Sequence, residues 1–155
     1  MAKIEKSLEV DVPVRTAYNQ WTQFEEFPQF MEAIDEVRQL DDTHLHWVAS
    51  FGGRRHEWDA EITEQRPDAV VAWRSIDGKG NAGVVRFRPI DENRTEITVE
   101  MEWEAEGLVE QLGSALGSDE RRVEGDLERF KELIERRGVE SGAWRGQVDQ
   151  GEVRS

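Results

Sequence analysis

From about residue 34 to residue 104 the chain reads as six short strands in unbroken succession, and one long amphipathic helix after them has a single dry face to bury. The strand segments, about 34–40, 44–51, 54–64, 70–76, 81–90 and 94–104, are separated by Asp41-Asp42, Gly52-Gly53, Pro67-Asp68, Asp77-Gly78 and Glu92-Asn93. Connections this short favour antiparallel neighbours, so the segment is expected to be a meander. The last strand shows the pattern most cleanly: Thr95, Ile97, Val99, Met101 and Trp103 point one way, and Glu96, Thr98, Glu100, Glu102 and Glu104 the other.

The strand register is readable at Phe51-Gly52-Gly53-Arg54. A two-residue glycine turn would set residue 51 opposite 54, which places Trp47 opposite Trp58, Ala49 opposite His56 and Leu45 opposite Ala60 on one face. The other face then holds His46 opposite Asp59, Val48 opposite Glu57 and Ser50 opposite Arg55, so both strands agree on which side is dry.

Before the meander, residues 4 to 12 alternate with Ile4, Lys6, Leu8, Val10 and Val12 on one face, which adds a seventh strand. Pro13 suits the first turn of a helix, and Val14, Ala17, Tyr18 and Trp21 recur at helical spacing. Phe24, Phe27, Phe30 and Met31 then crowd a segment broken by Pro28, which reads as an irregular turn able to close as a lid. After the meander, Gly107 to Gly117 is mildly amphipathic but holds three glycines, so a mobile flap is expected there. Ser118 is the expected cap of the long helix, Val123, Leu127, Phe130, Leu133 and Ile134 are its apolar stripe, and Gly138 is its stop. Residues 1–138 thus form one α+β domain, a seven-stranded curved antiparallel sheet around one long C-terminal helix, with two short helices after the first strand. Residues 139–155 are polar and glycine-rich and are expected to be a flexible or loosely draped tail, with Trp144 its one large apolar side chain.

Composition narrows the partners. Asp and Glu outnumber Lys and Arg by 34 to 20, a formal charge of -14 that repels phosphate backbones and anionic headgroups, so neither nucleic acid nor membrane insertion is expected. The chain has no cysteine, which removes disulfides, thiolate metal sites and a cysteine nucleophile. Nothing at the N-terminus resembles a secretion signal, and the expected compartment is the cytoplasm.

The order of elements, with VDVPVRTAYNQWTQFEEFPQFMEAIDEVRQLDDTHLHWV, GGRRHEWDAEITEQRPDAVVAWRS, NAGVVRFRPIDENRTEITVEMEWE and RRVEGDLERFKELIE, resembles the helix-grip superfamily over roughly residues 3 to 138. That superfamily includes steroidogenic-acute-regulatory-type (START-like) lipid-transfer domains, the birch-pollen-allergen group and bacterial polyketide cyclase/dehydrase-like proteins; the FPQFM segment points to the last branch. The resemblance implies a helix-grip fold whose cavity, between sheet and helix, takes a hydrophobic or aromatic molecule. It implies no single reaction and transfers no catalytic signature.

Candidates for chemistry are few. His44 and His46 project from one side of a strand, but that side faces water and a metal site needs three or four donors, so no metal is expected. His56 shares the dry face with Trp47 and Trp58 and is the best candidate for a general base or a ligand hydrogen bond; the plainer reading is a rim histidine satisfied by backbone. Lys6, Ser75 and Asn81 also face inward, and no cofactor-binding motif is present. The expected ligand-binding residues are Trp47, His56, Trp58, Trp73, Asn81, Phe87, Met101, Trp103 and Phe130, with Phe27 and Phe30 above them. Large rings with few polar neighbours describe a ligand pocket and a filled core equally well. Three functions fit: a carrier of a lipid, polyketide, isoprenoid or aromatic compound; a polyketide cyclase or dehydrase using the same cavity; and a protein-interaction module with a packed core.

Overall fold

Alternation along β1 (Ala2–Val10) buries Ile4 and Val10 and leaves Glu5, Ser7 and Glu9 in water. Pro13, its φ fixed at -59°, stands one residue ahead of α1 (Val14–Trp21). A 3-10 helix, Phe24–Gln29, accommodates Pro28 and buries Phe24 and Phe27. The meander follows as β2 (Ile34–Gln39), β3 (His44–Phe51), β4 (Arg54–Arg66), β5 (Val70–Ser75), β6 (Asn81–Asp91) and β7 (Arg94–Trp103). The long helix is α2 (Leu116–Arg137), and the tail adds β8 (Gln147–Asp149) and β9 (Glu152–Arg154). This computed structural model describes residues 2–51, 53–76, 81–103 and 116–154, with side chains over 4–50, 53–76, 82–102 and 121–153.

The sheet runs β1-β7-β6-β5-β4-β3-β2 with antiparallel pairing throughout, so the meander is intact and β1 returns to lie beside β7. The β3–β4 ribbon has the register expected from its glycine turn: Phe51 opposite Arg54, Ala49 opposite His56, Trp47 opposite Trp58 and Leu45 opposite Ala60. Gly53 takes φ 78°, the left-handed backbone such a turn demands.

Helix α2 supplies the other wall of the core through Val123, Leu127, Phe130, Leu133 and Ile134, all buried. Polar contacts fix its position on both sides. Lys131 donates to the Glu9 carbonyl at 2.9 Å and the Asp11 N–H donates to Glu135 Oε2 at 2.7 Å, tying the helix to the end of β1. Toward the lid, Arg129 Nε donates to the Phe30 carbonyl at 2.9 Å, and the Glu32 N–H donates to Asp126 Oδ1 at 3.1 Å. Burial pushes the Asp126 carboxyl above its ordinary range even though Glu32 and Arg129 favour its ionised form. The helix opens at Leu116, so Ser118 lies inside it and does not cap it. Gly138, at φ 71°, closes it as expected, with its N–H donating to the Ile134 carbonyl at 2.8 Å. The expected flap falls outside the described residues up to the start of this helix.

Two expectations are corrected. The sheet has nine strands, not seven, and the tail is not a loosely draped segment. Strand β4 outruns β3, whose pairing ends at His44 opposite Glu61, and so leaves backbone groups of 64–65 unpaired on that edge. Strand β8 fills the gap, with Glu64 opposite Asp149 and Gln65 opposite Val148, and Val148 is fully buried. On the way there the Ser141 N–H donates to Gln20 Oε1 at 2.8 Å and the Trp144 N–H to Thr22 Oγ1 at 3.1 Å, binding the tail across α1. Trp144 packs against the core half-buried, over Gly146, where a Cβ would come within 2.5 Å of its ring. Composition gave no sign of this, because one buried valine and an unpaired edge decide it.

Candidate functional site

The inner face of the sheet carries three stacked indoles. Trp58 and Trp47 sit opposite each other with ring centroids 5.9 Å apart and 12° between planes, and Trp47 meets Trp73 at 6.1 Å and 23°. On the intervening strand Trp58 lies opposite Trp47 and Ile62 opposite Trp73, with the small Ala60 between those two positions. Trp73 lies flat over Gly83, its partner across β5–β6: a Cβ there would fall 2.5 Å from Trp73 Cζ2, so this strand position requires glycine.

Above the strands, α1 and the 3-10 helix extend the aromatic surface. Trp21 meets Phe130 of α2 at 4.9 Å, Phe30 meets Phe130 at 5.1 Å, and Phe27 reaches Trp47 at 5.6 Å. Phe87 joins through Tyr18 at 5.4 Å and Trp21 at 6.4 Å. Of the residues expected at the site, Trp47, Trp58, Trp73, Phe87 and Phe130 are therefore brought into one continuous aromatic surface. Rings fill the α1 end of this interior.

At the opposite end β1 and β6 begin and β5 ends. His56 and Met101 are half-buried there and Ser75 is buried, all on the inner face. His56 keeps its Nε2 out of solvent. Lys6 is half-buried and reaches Glu124 of α2 at 3.5 Å. Asn81 and Trp103 face each other across β6–β7 by backbone pairing, and their side chains lie outside the described residues.

Polar atoms inside are scarce but present. The indole nitrogens of Trp21, Trp47 and Trp58 are buried with no hydrogen-bond partner among the described residues. Each is a donor in an apolar setting, able to engage an acceptor oxygen on a bound molecule.

The outer face accounts for the other two histidines. His46 faces a carboxylate acceptor at each ring nitrogen, Nδ1 with Asp59 at 2.8 Å and Nε2 with Glu57 at 3.0 Å, and these carboxylates, Asp59 foremost, raise its pKa. His44 pairs with Asp41 at 2.9 Å. Among the described residues no group of three or more histidine and carboxylate side chains is arranged to hold a metal ion. A groove of about 290 Å³ lies over β4–β7, lined by Thr63, Ala72, Arg74, Val84 and Glu100 and also by Trp73 and Gly83.

Trp21 and Tyr18 were not expected at the site. The signal was in the sequence, since both fall on the apolar stripe of α1; what it lacked was the direction of that stripe, toward Phe87 and Phe130.

Comparison with known proteins adds to this geometry. Residues 10–132 match the family model described as polyketide cyclase / dehydrase and lipid transport. An uncharacterised 17.2 kDa protein of Streptomyces lincolnensis is 51% identical over 149 residues, covering 96% of this chain and 99% of that one. Among solved structures, a Deinococcus radiodurans protein aligns with a TM-score of 0.71 at 25% identity over 87% of this chain and 98% of its own. The Zhui aromatase/cyclase of Streptomyces sp. R1128 aligns with a TM-score of 0.71 at 15% identity, over 92% of this chain and 99% of its own. A START superfamily protein of Mycobacterium smegmatis aligns at 0.65 and 15% identity, over 87% and 95%. The last two likenesses establish the helix-grip fold. No helix among the described residues is long and apolar enough to cross a membrane.

Proposed function

The chain belongs to the polyketide cyclase / dehydrase and lipid transport family, and from that premise we propose that it binds a hydrophobic small molecule between the sheet and α2. The observation that carries this reading is the Trp58–Trp47–Trp73 stack, a flat apolar wall whose indole donors at Trp47 and Trp58 are left for a guest. A planar aromatic or polyketide ligand matches such a wall better than a flexible acyl chain does. It stacks on rigid rings at low entropic cost and offers oxygens to the indole N–H groups. His56 and Met101 mark the end at which the ligand enters, and Phe87, Phe130, Asn81 and Trp103 complete the proposed site.

A catalytic reading, cyclase or dehydrase, has one observation in its favour: His56 lies on the inner face with its Nε2 shielded from water, where it could move a proton to or from a positioned ligand.

Native mass spectrometry of protein purified from its own host tests the binding reading. A co-purifying apolar molecule that leaves on denaturation is expected, and Trp58→Ala should weaken rebinding about tenfold or more, roughly the 1.4 kcal/mol equivalent of losing one stacking surface. No bound species, together with no thermal shift across a panel of lipids, isoprenoids and aromatic polyketides, would replace this reading with that of an interaction module with a packed core. His56→Ala separates carrier from catalyst: it leaves a carrier's affinity largely intact and abolishes turnover of a cyclase.

A further inference from the structure

The polar side of α1 is buried, and the tail lies against it. Asn19, Gln20 and Thr22 are 2%, 1% and 2% exposed, and each is bonded to a tail residue. Asn19 Nδ2 donates to Glu140 Oε2 at 2.7 Å, and Asn19 Oδ1 accepts from Arg145 at 2.7 Å. Gln20 Oε1 accepts from the Ser141 N–H and Thr22 Oγ1 from the Trp144 N–H. The segment is fastened at both ends. On one side Arg137 pairs with Glu26 of the 3-10 helix at 3.3 Å, and the Ser141 hydroxyl bonds the same carboxylate. On the other, Arg145 pairs with Asp68 of the β4–β5 turn at 2.8 Å and β8 joins the edge of β4.

The apolar side of the same helix holds the rings. Trp21 packs on Phe130 at 4.9 Å, Phe27 at 5.5 Å and Phe30 at 5.6 Å, and Tyr18 packs on Phe87 at 5.4 Å. Helix α1 therefore stands between the tail and the interior. A close-packed interior has no room for a further ring. A guest that stacks among these rings needs α1 to withdraw, and α1 is held while Asn19, Gln20 and Thr22 are bonded to the tail. Release is inexpensive, because the contacts on α1 are polar and both surfaces exchange them for water at small net cost. The polar, glycine-rich chain also regains backbone freedom when it leaves. Its apolar anchors are the buried Val148 and the half-buried Trp144. Such a segment opens locally while the body stays folded.

We propose that residues 139–149 are an autoinhibitory strap: docked across α1, it holds Trp21 and Tyr18 in the ring-filled interior, and its release lets α1 withdraw to make room for the hydrophobic ligand. The strap rests on the binding reading above and adds regulation to it. Guest and strap compete for the position of α1, so each weakens the other by the same factor.

The test uses Nile red, a neutral planar dye, titrated by fluorescence into the native chain and into Val148→Asp and Arg145→Ala, each of which removes one fastening. Limited proteolysis after Gly138 reports whether the tail is released. A released variant should bind the dye about fivefold tighter or more, the lower range of coupling between two sites. Conversely, saturating dye should speed cleavage of the native tail by a similar factor, since cleavage tracks the open population. Equal or weaker binding by a released variant, or dye that slows cleavage of the native tail, overturns the strap and leaves the binding reading standing. A tail that stays protected in both variants also overturns the strap. Dye that binds neither the native chain nor a released variant overturns the binding reading and the strap together. If neither variant folds, the cleavage rate of the native tail with and without dye decides.

Discussion

Replacing Gly83 with alanine sets two effects of opposite sign against each other. In a strand, Gly→Ala ordinarily stabilises by about 0.4–1 kcal/mol, because the unfolded chain loses freedom. At Gly83, however, the new Cβ would lie 2.5 Å and 2.8 Å from two atoms of the Trp73 indole, a separation that forces a shift. Trp73 cannot swing away cheaply, since it is buried and stacked on Trp47 at 6.1 Å. Overpacking of this kind costs about 1–3 kcal/mol, so the contact wins and Gly83→Ala should destabilise by roughly 0.5–2 kcal/mol net. For a domain of this size that is a fall in Tm of a few degrees, about 2–4 °C per kcal/mol, readable by calorimetry and by urea titration. Trp73→Phe removes the indole atoms that would clash. In that background Gly83→Ala should become neutral or stabilising, and the double-mutant cycle should show a coupling of about 1 kcal/mol or more. An unchanged cost of Gly83→Ala in both backgrounds would refute the claim that Trp73 dictates the glycine.

Other perturbations test other parts of the structure. The Tyr18 hydroxyl titrates at about 12 in the fold and near 10 when unfolded, so between those values the unfolded state loses its proton first. The native chain should therefore lose about 2–3 kcal/mol between pH 10 and pH 12, a loss that Tyr18→Phe should not share when alkaline unfolding is followed by circular dichroism. His46 has the opposite chemistry but the same slope: its folded pKa is raised by Asp59 and Glu57, so its contribution is fully present below pH 6.5 and fades as pH rises through the folded value. Urea titrations of native and His46→Gln protein should consequently differ most in mild acid and converge in mild alkali. Val148→Asp places an uncompensated charge at a fully buried position of β8, and limited proteolysis should then cut the chain after Gly138 while the body stays folded; equal protection of the tail would show that Val148 does not anchor it.

Much of this architecture was written in periodicity. Two-residue alternation marked β1, the β3–β4 ribbon and β7, turn residues delimited the other strands, and one glycine pair fixed the β3–β4 register, because slipping by one residue would have turned Trp47 and Trp58 into water. The apolar stripe of α2 and the scarcity of other dry surface required helix and sheet to meet, and the resemblance to the helix-grip superfamily was legible for the same reason. The candidate site was legible only as a composition of inward rings. That Trp47, rather than a void, lies between Trp58 and Trp73 depends on angles between side chains on three strands, and that Trp21 and Tyr18 join them depends on the roll of α1. No local pattern encodes either.

Local pattern by itself therefore determined the seven principal strands, the long helix and the aromatic character of the inner face, since these follow from the periods of strand and helix together with the turn residues between the strands. The tertiary structure alone decided the fate of the tail. A polar, glycine-rich segment has no period to read, and it acquires two strands only because β4 extends past β3 and offers an unpaired edge beside a pocket for Val148. Such an edge exists only after the rest of the sheet has formed.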